Sequence, residues 1–192
     1  MRFGPPIVVV SGLPRSGTSM AMRMLDAAGV PILSDGVRTA DDSNPRGYFE
    51  YERVKELDKG LDKTWLRSAR GRAIKIISFL LRDLPETNDY RVIFMHRPMD
   101  EIIASQDAML RARGEPVGAA GAALAASYQK HLDEVRHLLE RRPCFAVLDV
   151  GYRDTIDQPA EQAARMAVFL GRPLNIPAMA AAVDQALYRH RT

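Results

Sequence analysis

Two glycines, one arginine and three hydroxyl side chains occur in a short stretch near the start of the chain. The stretch GLPRSGTS, residues 12–19, follows a run of branched apolar residues and precedes a helical pattern. Glycines let successive backbone N–H groups curl around one anion, and a helix N-terminus adds partial positive charge. Arg15 adds a full charge and a planar fork of donors, and Thr18 and Ser19 add hydroxyl donors. These residues predict a phosphate-binding loop.

The loop differs at one position from the triphosphate-binding pattern G-x-x-x-x-G-K-[ST]. Gly12, Gly17 and Ser19 are in register with that pattern, but Thr18 occupies the place of the lysine. In a nucleoside triphosphate loop, the lysine reaches the β- and γ-phosphates and the next hydroxyl holds magnesium. The loop alone therefore leaves two interpretations: an altered triphosphate loop, or an intact loop for a different anion.

A second pair of polar residues follows a later apolar run. Arg97 comes directly after RVIFMH, residues 91–96, and Ser105 lies further along a predicted helix. Seven helical steps span about 10 Å, a distance that an arginine side chain and one phosphate group bridge together. Ligands of open parallel sheets bind outside the carboxyl ends of the strands, and this rule singles out residues 96–105 as a candidate binding segment. A capping arginine beside a solvated serine is the structural alternative.

The periodicity of the chain indicates the elements that position these residues. Short apolar runs alternate with longer 3.6-residue patterns, as in βαβ units. Strands are predicted at 7–11, 73–77, 91–95 and 144–150, and helices at 17–29, from 100, at 119–141, at 159–170 and at 177–189. The pattern predicts one domain over 1–192, a three-layer α/β/α fold with a central, mainly parallel sheet. Residues 34–60 have no clean period, are rich in Asp, Gly, Asn and Pro, and are expected to cross the active face.

Composition narrows the function classes. The chain has 192 residues, of which 46% are hydrophobic and 27% charged, and its net charge of +3 is not gathered into basic runs. These values are typical of a soluble enzyme for an anionic ligand and argue against a nucleic-acid partner. Cys144 is the only cysteine, so a reducing compartment is expected. The apolar run at 7–10 is too short for a signal peptide or a membrane span, and we expect a cytoplasmic protein.

No metal site is expected from the sequence. His96, His131, His137 and His190 form no ligand cluster with Cys144 at a usual spacing. His131 and His137 share a predicted helix but face different sides, and we expect both to be solvated.

Taken together, the motifs resemble those of sulfotransferases that use 3′-phosphoadenosine 5′-phosphosulfate (PAPS). PRSGTS, residues 14–19, is similar to the 5′-phosphosulfate loop of that superfamily, and Arg97 with Ser105 is similar to its 3′-phosphate contact. NPRGYFE (44–50) and FLGRP (169–173) are similar to segments of one bacterial branch. The resemblance covers about residues 6–173. It implies that the loop at residues 12–19 is an intact loop for a different anion and not an altered triphosphate loop.

The resemblance implies a P-loop nucleotide-binding fold and a transferase. PAPS would donate a sulfuryl group to a hydroxyl or amine of a small-molecule acceptor, with 3′-phosphoadenosine 5′-phosphate (PAP) as product and without a metal. Sugars, lipids, phenols and peptide tyrosines are not ranked as acceptors, and a homodimer is left open. The residues that it assigns to the donor are Pro14, Arg15, Ser16, Gly17, Thr18, Ser19, Arg97 and Ser105. Arg15 would also be catalytic, because it would face the bridging oxygen.

Two further catalytic residues are assigned. Lys75 matches a lysine that leans towards the transferring group in cytosolic sulfotransferases; a strand lysine that reaches solvent is the alternative. The histidine base of those enzymes would fall near Ile77, which cannot take a proton. Other branches of the family use a carboxylate from the crossover after the first helix as the general base. By that resemblance Glu50 is the preferred base, with Glu52 and Asp42 behind it, and an exposed or salt-bridged carboxylate is the alternative.

The sequence leaves the closure of the nucleotide site, the acceptor pocket and the function with alternatives. The family's third motif, in which glycines and a basic residue close over the nucleotide, has no counterpart after residue 173; a partner subunit or GYRDT (151–155) could supply it. The aromatic residues Tyr48, Phe49, Tyr51 and Trp65 are candidates for an acceptor pocket or for the core. The alternative functions are an inactive PAP- or PAPS-binding module and a Mg-ATP or GTP kinase, in which Asp149 would hold magnesium.

Overall fold

A parallel sheet lies between two layers of helices. The computed structural model describes residues 3–37, 47–60, 62–116 and 121–184. The strands are β1 (Ile7–Gly12), β2 (Ala73–Lys75), β3 (Tyr90–His96) and β4 (Phe145–Gly151). The helices are α1 (Thr18–Ala27), α2 (Met99–Ala112), α3 (Gly121–Arg141), α4 (Tyr152–Asp157), α5 (Pro159–Leu170) and α6 (Ile176–Ala181), with 3-10 helices at Glu52–Glu56, Thr64–Ala69 and Ser78–Asp83. The three-layer α/β/α architecture predicted from the periodicity is confirmed.

β1 occupies the middle of the sheet because its side chains are apolar on both faces. Every residue of β1 is buried, and successive side chains of a strand point to opposite faces. Ile7 and Val9 pack with the 3-10 helices and α3 on one side. Val8 and Val10 pack with α1, α5 and α6 on the other side. The loop that follows β1 therefore starts from a strand that is fixed by two cores.

The strand order opens a crevice beside β1. The order is β2-β1-β3-β4, with every neighbouring pair parallel. The chain passes from β1 to β2 on one side, and then crosses to β3 on the other side of β1. The carboxyl ends of β1 and β3 meet where Gly12 pairs with Met95. A ligand of an open α/β sheet binds at such a switch point.

Two predicted elements are shorter in the structure. β2 ends at Lys75 rather than at residue 77, because the chain turns into the 3-10 helix at Ser78–Asp83; Ile76 still donates its N–H to the Val10 carbonyl at 3.0 Å. α6 covers Ile176–Ala181, whereas the predicted helix covers 177–189, and residues 185–189 of that prediction lie outside the described ranges.

The expectation of a solvated His131 is wrong. Its ring stacks on Phe79 with centroids 3.8 Å apart, and its Nε2 lies 2.9 Å from Ser78 Oγ. Burial lowers the pKa of His131 from its usual value of 6.5; Glu134 acts against this shift and Arg82 adds to it. His131 thus contacts the 3-10 helix at Ser78–Asp83, and helix periodicity alone does not predict this contact.

Two features of composition have structural counterparts. Cys144 is buried in the core at the start of β4, and burial raises the pKa of its thiol. Across the parts of the chain that the structure describes, no helix has the length and apolar character needed to cross a membrane.

Candidate functional site

A cavity of about 600 Å³ opens at the carboxyl ends of β1 and β3. Its wall is formed by the loop after β1, the start of α1, one face of α2 and the segments around Tyr48 and Lys75. Both of the anion-binding motifs found in the sequence therefore contribute to one cavity.

Left-handed backbone conformations shape the loop between β1 and α1. The φ angles of Arg15 and Gly17 are 69° and 102°, values that residues with a Cβ rarely adopt. A Cβ on Gly17 would also overlap the ring of Tyr152. α1 begins at the next residue, Thr18, so the N-terminal N–H groups of α1 lie at the loop. Such a turn presents a helix N-terminus to an anion.

Five of the six predicted loop residues line the cavity, namely Pro14, Arg15, Gly17, Thr18 and Ser19. Ser16 does not. Its side chain is fully buried, and its N–H donates to the Leu13 carbonyl at 3.1 Å. Ser16 therefore stabilises the turn from its buried side.

The second motif meets the first by direct hydrogen bonds. Arg15 Nε donates to Ser105 Oγ at 3.1 Å, and Arg97 Nη1 donates to the Arg15 carbonyl at 3.1 Å. Arg97 and Ser105 both line the cavity. The structure thus brings the predicted pair together with the loop, across a separation of 90 residues between Arg15 and Ser105.

Arg97 is surrounded by protein groups. Its Nε donates to Glu101 Oε2 at 2.8 Å, and its Cζ lies 4.4 Å from the centroid of the Tyr152 ring. Burial raises the pKa of Tyr152, against the lowering effect of Arg97, so the phenol stays neutral near pH 7. Sequence reasoning missed Glu101. The available signal was its position four residues after Arg97 at the start of a helix, where i,i+4 partners meet.

The predicted catalytic pair also lies in the wall. Lys75 Nζ donates to the Tyr48 carbonyl at 2.6 Å and lies 3.6 Å from Glu50 Oε1. Lys55 Nζ is 4.0 Å from the other carboxylate oxygen, Glu50 Oε2. The Lys75 side chain is only 9% exposed, so it faces the cavity and not the solvent. Glu50 is thus a carboxylate between two ammonium groups at the edge of the cavity.

An unusual backbone bend precedes Glu50. Phe49 has a φ of 52° and Gly47 a φ of 88°. A bulky residue in the left-handed region is uncommon and costs energy. The bend sends the Phe49 side chain to the core on the α1 side of the sheet, while Tyr48 and Glu50 line the cavity.

The other candidates for the base and the acceptor pocket divide between cavity, core and surface. Glu52 does not line the cavity; its Oε1 accepts from Lys55 Nζ at 2.6 Å. Tyr51 lines the cavity, whereas Trp65 belongs to the core. Asp42 lies outside the described residues, as do His190 and residues 44–46 of the NPRGYFE segment.

Asp149 and His96 form a pair away from the cavity. His96 Nε2 contacts Asp149 Oδ1, and neither residue lines the cavity. The Asp149 side chain is 69% exposed on β4. Within residues 3–37, 47–60, 62–116 and 121–184, no group of three or more His, Cys, Asp or Glu residues could hold a metal ion.

Sequence reasoning also missed two arginines of the wall. Arg23 and Arg113 line the cavity together with Met109. Arg23 lies four residues after Ser19 on α1, and Met109 lies four residues after Ser105 on α2. Because residues three and four apart share a helix face, the position of Ser19 could have indicated Arg23, and that of Ser105 could have indicated Met109.

The family model decides the class of protein. A model described as the sulfotransferase family matches residues 72–175, which is more than half of the 192 residues. The chain belongs to the sulfotransferase family. As a sulfotransferase, it is an enzyme of the transferase class. The matched segment of this sulfotransferase contains Lys75, Arg97 and Ser105 and lies after the loop.

Solved sulfotransferases share the fold. STF1 from Mycobacterium tuberculosis H37Rv is 18% identical with a TM-score of 0.63, over 98% of this chain and 74% of that chain. The sulfotransferase domain of the Synechococcus PCC 7002 olefin synthase is 17% identical with a TM-score of 0.54, over 96% and 80%. Mouse SULT7A1, solved in complex with PAP, is 17% identical with a TM-score of 0.57, over 95% of this chain and 62% of that one. A comparison with curated protein sequences finds no significant match.

Proposed function

We propose that this sulfotransferase moves a sulfuryl group from PAPS to a hydroxyl group, or an amine, of a small-molecule acceptor. One observation carries the proposal: the loop after β1 and the Arg97–Ser105 pair line the same cavity and are hydrogen-bonded to each other. PAPS has two separate anionic groups, the 5′-phosphosulfate and the 3′-phosphate. A cavity with two linked anion-binding motifs fits such a donor, and the fold shared with mouse SULT7A1, solved with PAP, supports this choice.

The hydrogen-bond donors of the cavity wall suit the anionic groups of PAPS. Arg15, Arg23 and Arg97 line the cavity, and arginine forks suit phosphate and sulfate oxygens. Arg15, Thr18, Ser19 and the N–H groups at the start of α1 would hold the 5′-phosphosulfate. Arg97 and Ser105 would hold the 3′-phosphate. When bound, PAPS supplies an activated sulfuryl group on a good leaving group.

Glu50 and Lys75 supply the remaining chemistry. An acceptor hydroxyl in the cavity would pass its proton to the Glu50 carboxylate as the oxygen forms a bond to sulfur. The bond from sulfur to the bridging oxygen breaks, and negative charge develops on the departing PAP. Arg15, Lys75 and the loop N–H groups would stabilise that charge. Lys75 lies 3.6 Å from Glu50 Oε1, so the base and the cation are adjacent.

The kinase alternative has less support. It needs Asp149 to hold magnesium beside the loop, but Asp149 lies outside the cavity wall and is paired with His96. Thr18 also occupies the position of the phosphate-binding lysine. The alternative of an inactive binding module also has less support, because the Glu50–Lys75 pair in the cavity wall favours catalysis.

Label transfer tests the proposed reaction. The purified chain is incubated with ³⁵S-labelled PAPS and a panel of phenols, lipid alcohols, sugars, amines and tyrosine peptides, with and without a chelator. We expect labelled product in at least one class, at the same rate with chelator, and at a rate about 10²- to 10⁴-fold lower with Glu50→Gln. Binding of PAP without label transfer to any acceptor would support a binding module and contradict the enzyme mechanism.

A further inference from the structure

A buried carboxylate joins two arginines beside the cavity. Glu101 has no exposed surface. Its Oε2 accepts from Arg97 Nε at 2.8 Å, and its Oε1 accepts from Arg153 Nε at 2.6 Å. Arg153 Nη2 lies 2.5 Å from the same Oε1. Burying a carboxylate is costly unless it is paired and hydrogen-bonded, and here a guanidinium engages each of its oxygens.

The three residues come from separate segments. Arg97 follows β3, Glu101 lies in the first turn of α2, and Arg153 lies in the first turn of α4 after β4. The position of Glu101 at a helix N-terminus further favours its charged form. The carboxylate therefore locks the end of β3 to the end of β4.

Arg97 is the member of this cluster that reaches the cavity. It lines the wall, whereas Glu101 and Arg153 do not. The carboxylate accepts from its Nε, the Arg15 carbonyl accepts from its Nη1, and its Cζ lies 4.4 Å from the centroid of the Tyr152 ring. An arginine side chain loses conformational entropy when it is fixed on binding. A guanidinium that is already fixed loses less.

We infer that Glu101 is a positioning residue for recognition of the 3′-phosphate, and that Arg153 supports it by holding the same carboxylate. The inference rests on the proposed function, since it assigns the 3′-phosphate to Arg97. Neither Glu101 nor Arg153 contacts the ligand; both act through the orientation of Arg97.

The sign of one substitution separates positioning from simple electrostatics. The cluster carries two positive charges and one negative charge. Glu101→Gln removes the negative charge, so a purely electrostatic role predicts tighter binding of the phosphate dianion. A positioning role predicts weaker binding, because the amide offers Arg97 a weaker acceptor and also adds donors that face Arg153.

The experiment measures dissociation constants for PAP and for adenosine 5′-monophosphate (AMP), which lacks the 3′-phosphate. The variants are Glu101→Gln, Arg153→Lys and the matched control Asp100→Asn, which removes a carboxylate from the same helical turn at an exposed position outside the cavity wall. The melting temperature of each variant without ligand reports structural damage separately. We expect Glu101→Gln to weaken PAP binding about tenfold or more, with AMP binding changed less than about twofold. Arg153→Lys keeps the charge but loses the planar fork, and we expect PAP binding about two- to fivefold weaker. Asp100→Asn should match the wild type.

Each outcome supports or overturns the positioning role of Glu101. A preference for PAP over AMP that is unchanged or increased in Glu101→Gln overturns the positioning role. If that variant does not fold, Arg153→Lys decides: a reduced preference supports the role and an unchanged preference overturns it. A wild-type protein with no preference for PAP overturns both this role and the proposed donor. A wild-type preference that persists in the variants overturns the positioning role alone.

Discussion

Arg15 and Ser105 are joined by a hydrogen bond of 3.1 Å from Nε to Oγ, although 90 residues separate them. Ser105 is only 4% exposed and lies on the cavity face of α2. The contact ties the loop after β1 to the helix after β3. In the proposed function these elements hold the two anionic groups of one donor, so the bond links the two halves of the donor site.

Ser105→Ala tests this link. The variant removes the hydroxyl that accepts from Arg15 and that would donate to the 3′-phosphate. A hydrogen bond to a charged group contributes roughly 1.5–3 kcal/mol, so we expect PAP binding weaker by about tenfold or more in calorimetry. Ser127→Ala, at an exposed position on α3, is the control and should bind as the wild type does. Equal PAP affinity in both variants would contradict the assignment of Ser105.

Gly17→Ala tests the packing of the loop, with Gly29→Ala as a matched control. Both glycines have positive φ, 102° and 78°, but only a Cβ at Gly17 meets Tyr152; at Gly29 nothing lies within 4 Å. Left-handed strain costs about 1–2 kcal/mol at either position. We expect the free energy of unfolding to fall further in Gly17→Ala, by more than about 1 kcal/mol relative to the control. Similar losses in denaturant titrations of the two variants would show that Tyr152 does not constrain the loop.

Glu50→Gln tests the general base, and Glu52→Gln is its control. Glu50 lines the cavity beside Lys75, whereas Glu52, which pairs with Lys55, does not line it. Loss of a general base costs about 10²- to 10⁴-fold in rate, so we expect kcat to fall by that factor in Glu50→Gln with the dissociation constant for PAP unchanged. Glu52→Gln should keep most of the activity. An active Glu50→Gln enzyme would move the base elsewhere.

The burial of His131 predicts a pH dependence of stability. Because burial lowers the pKa of His131 in the folded protein, the unfolded chain binds its proton at a higher pH. The contribution of neutral His131 to the free energy of unfolding is therefore complete above about pH 6.5 and is lost as the pH falls below that value. We expect the melting temperature of His131→Gln to fall less than that of the wild type between pH 7.5 and 5. His137→Gln, at an exposed position on the same helix, should follow the wild type, and identical pH profiles for all three proteins would contradict the burial effect.

Local patterns in the sequence predicted the parts of the site that depend on neighbouring residues. The loop lies between a buried strand and a helix, and Arg97 and Ser105 lie one after the other on a strand end and a helix. Periodicity placed these residues at strand ends and on helices, and the resemblance to sulfotransferases assigned Arg97 and Ser105 to the 3′-phosphate. The parallel sheet then fixed which strand ends meet, which is why the two motifs could be expected in one cavity.

Contacts between distant segments could not be predicted in this way. Arg153 lies 52 residues from Glu101, and His131 lies 53 residues from Ser78, so no helical or strand period connects them. The inward side chain of Ser16 depends on the tight turn around it, and the burial of Lys75 depends on the Tyr48 carbonyl. Such positions are set by packing of the whole chain, which overrides local preference.

Thermal stabilisation by nucleotides tests the central claim, the use of a 3′-phosphorylated donor, most directly. PAP is compared with ATP plus magnesium, in the wild type and in Arg97→Ala. A ligand at 100 times its dissociation constant adds about 2.7 kcal/mol to stability, and we predict this gain for PAP in the wild type, unchanged by a chelator and strongly reduced in Arg97→Ala. No stabilisation by PAP, or stabilisation that Arg97→Ala leaves undiminished, would contradict the account.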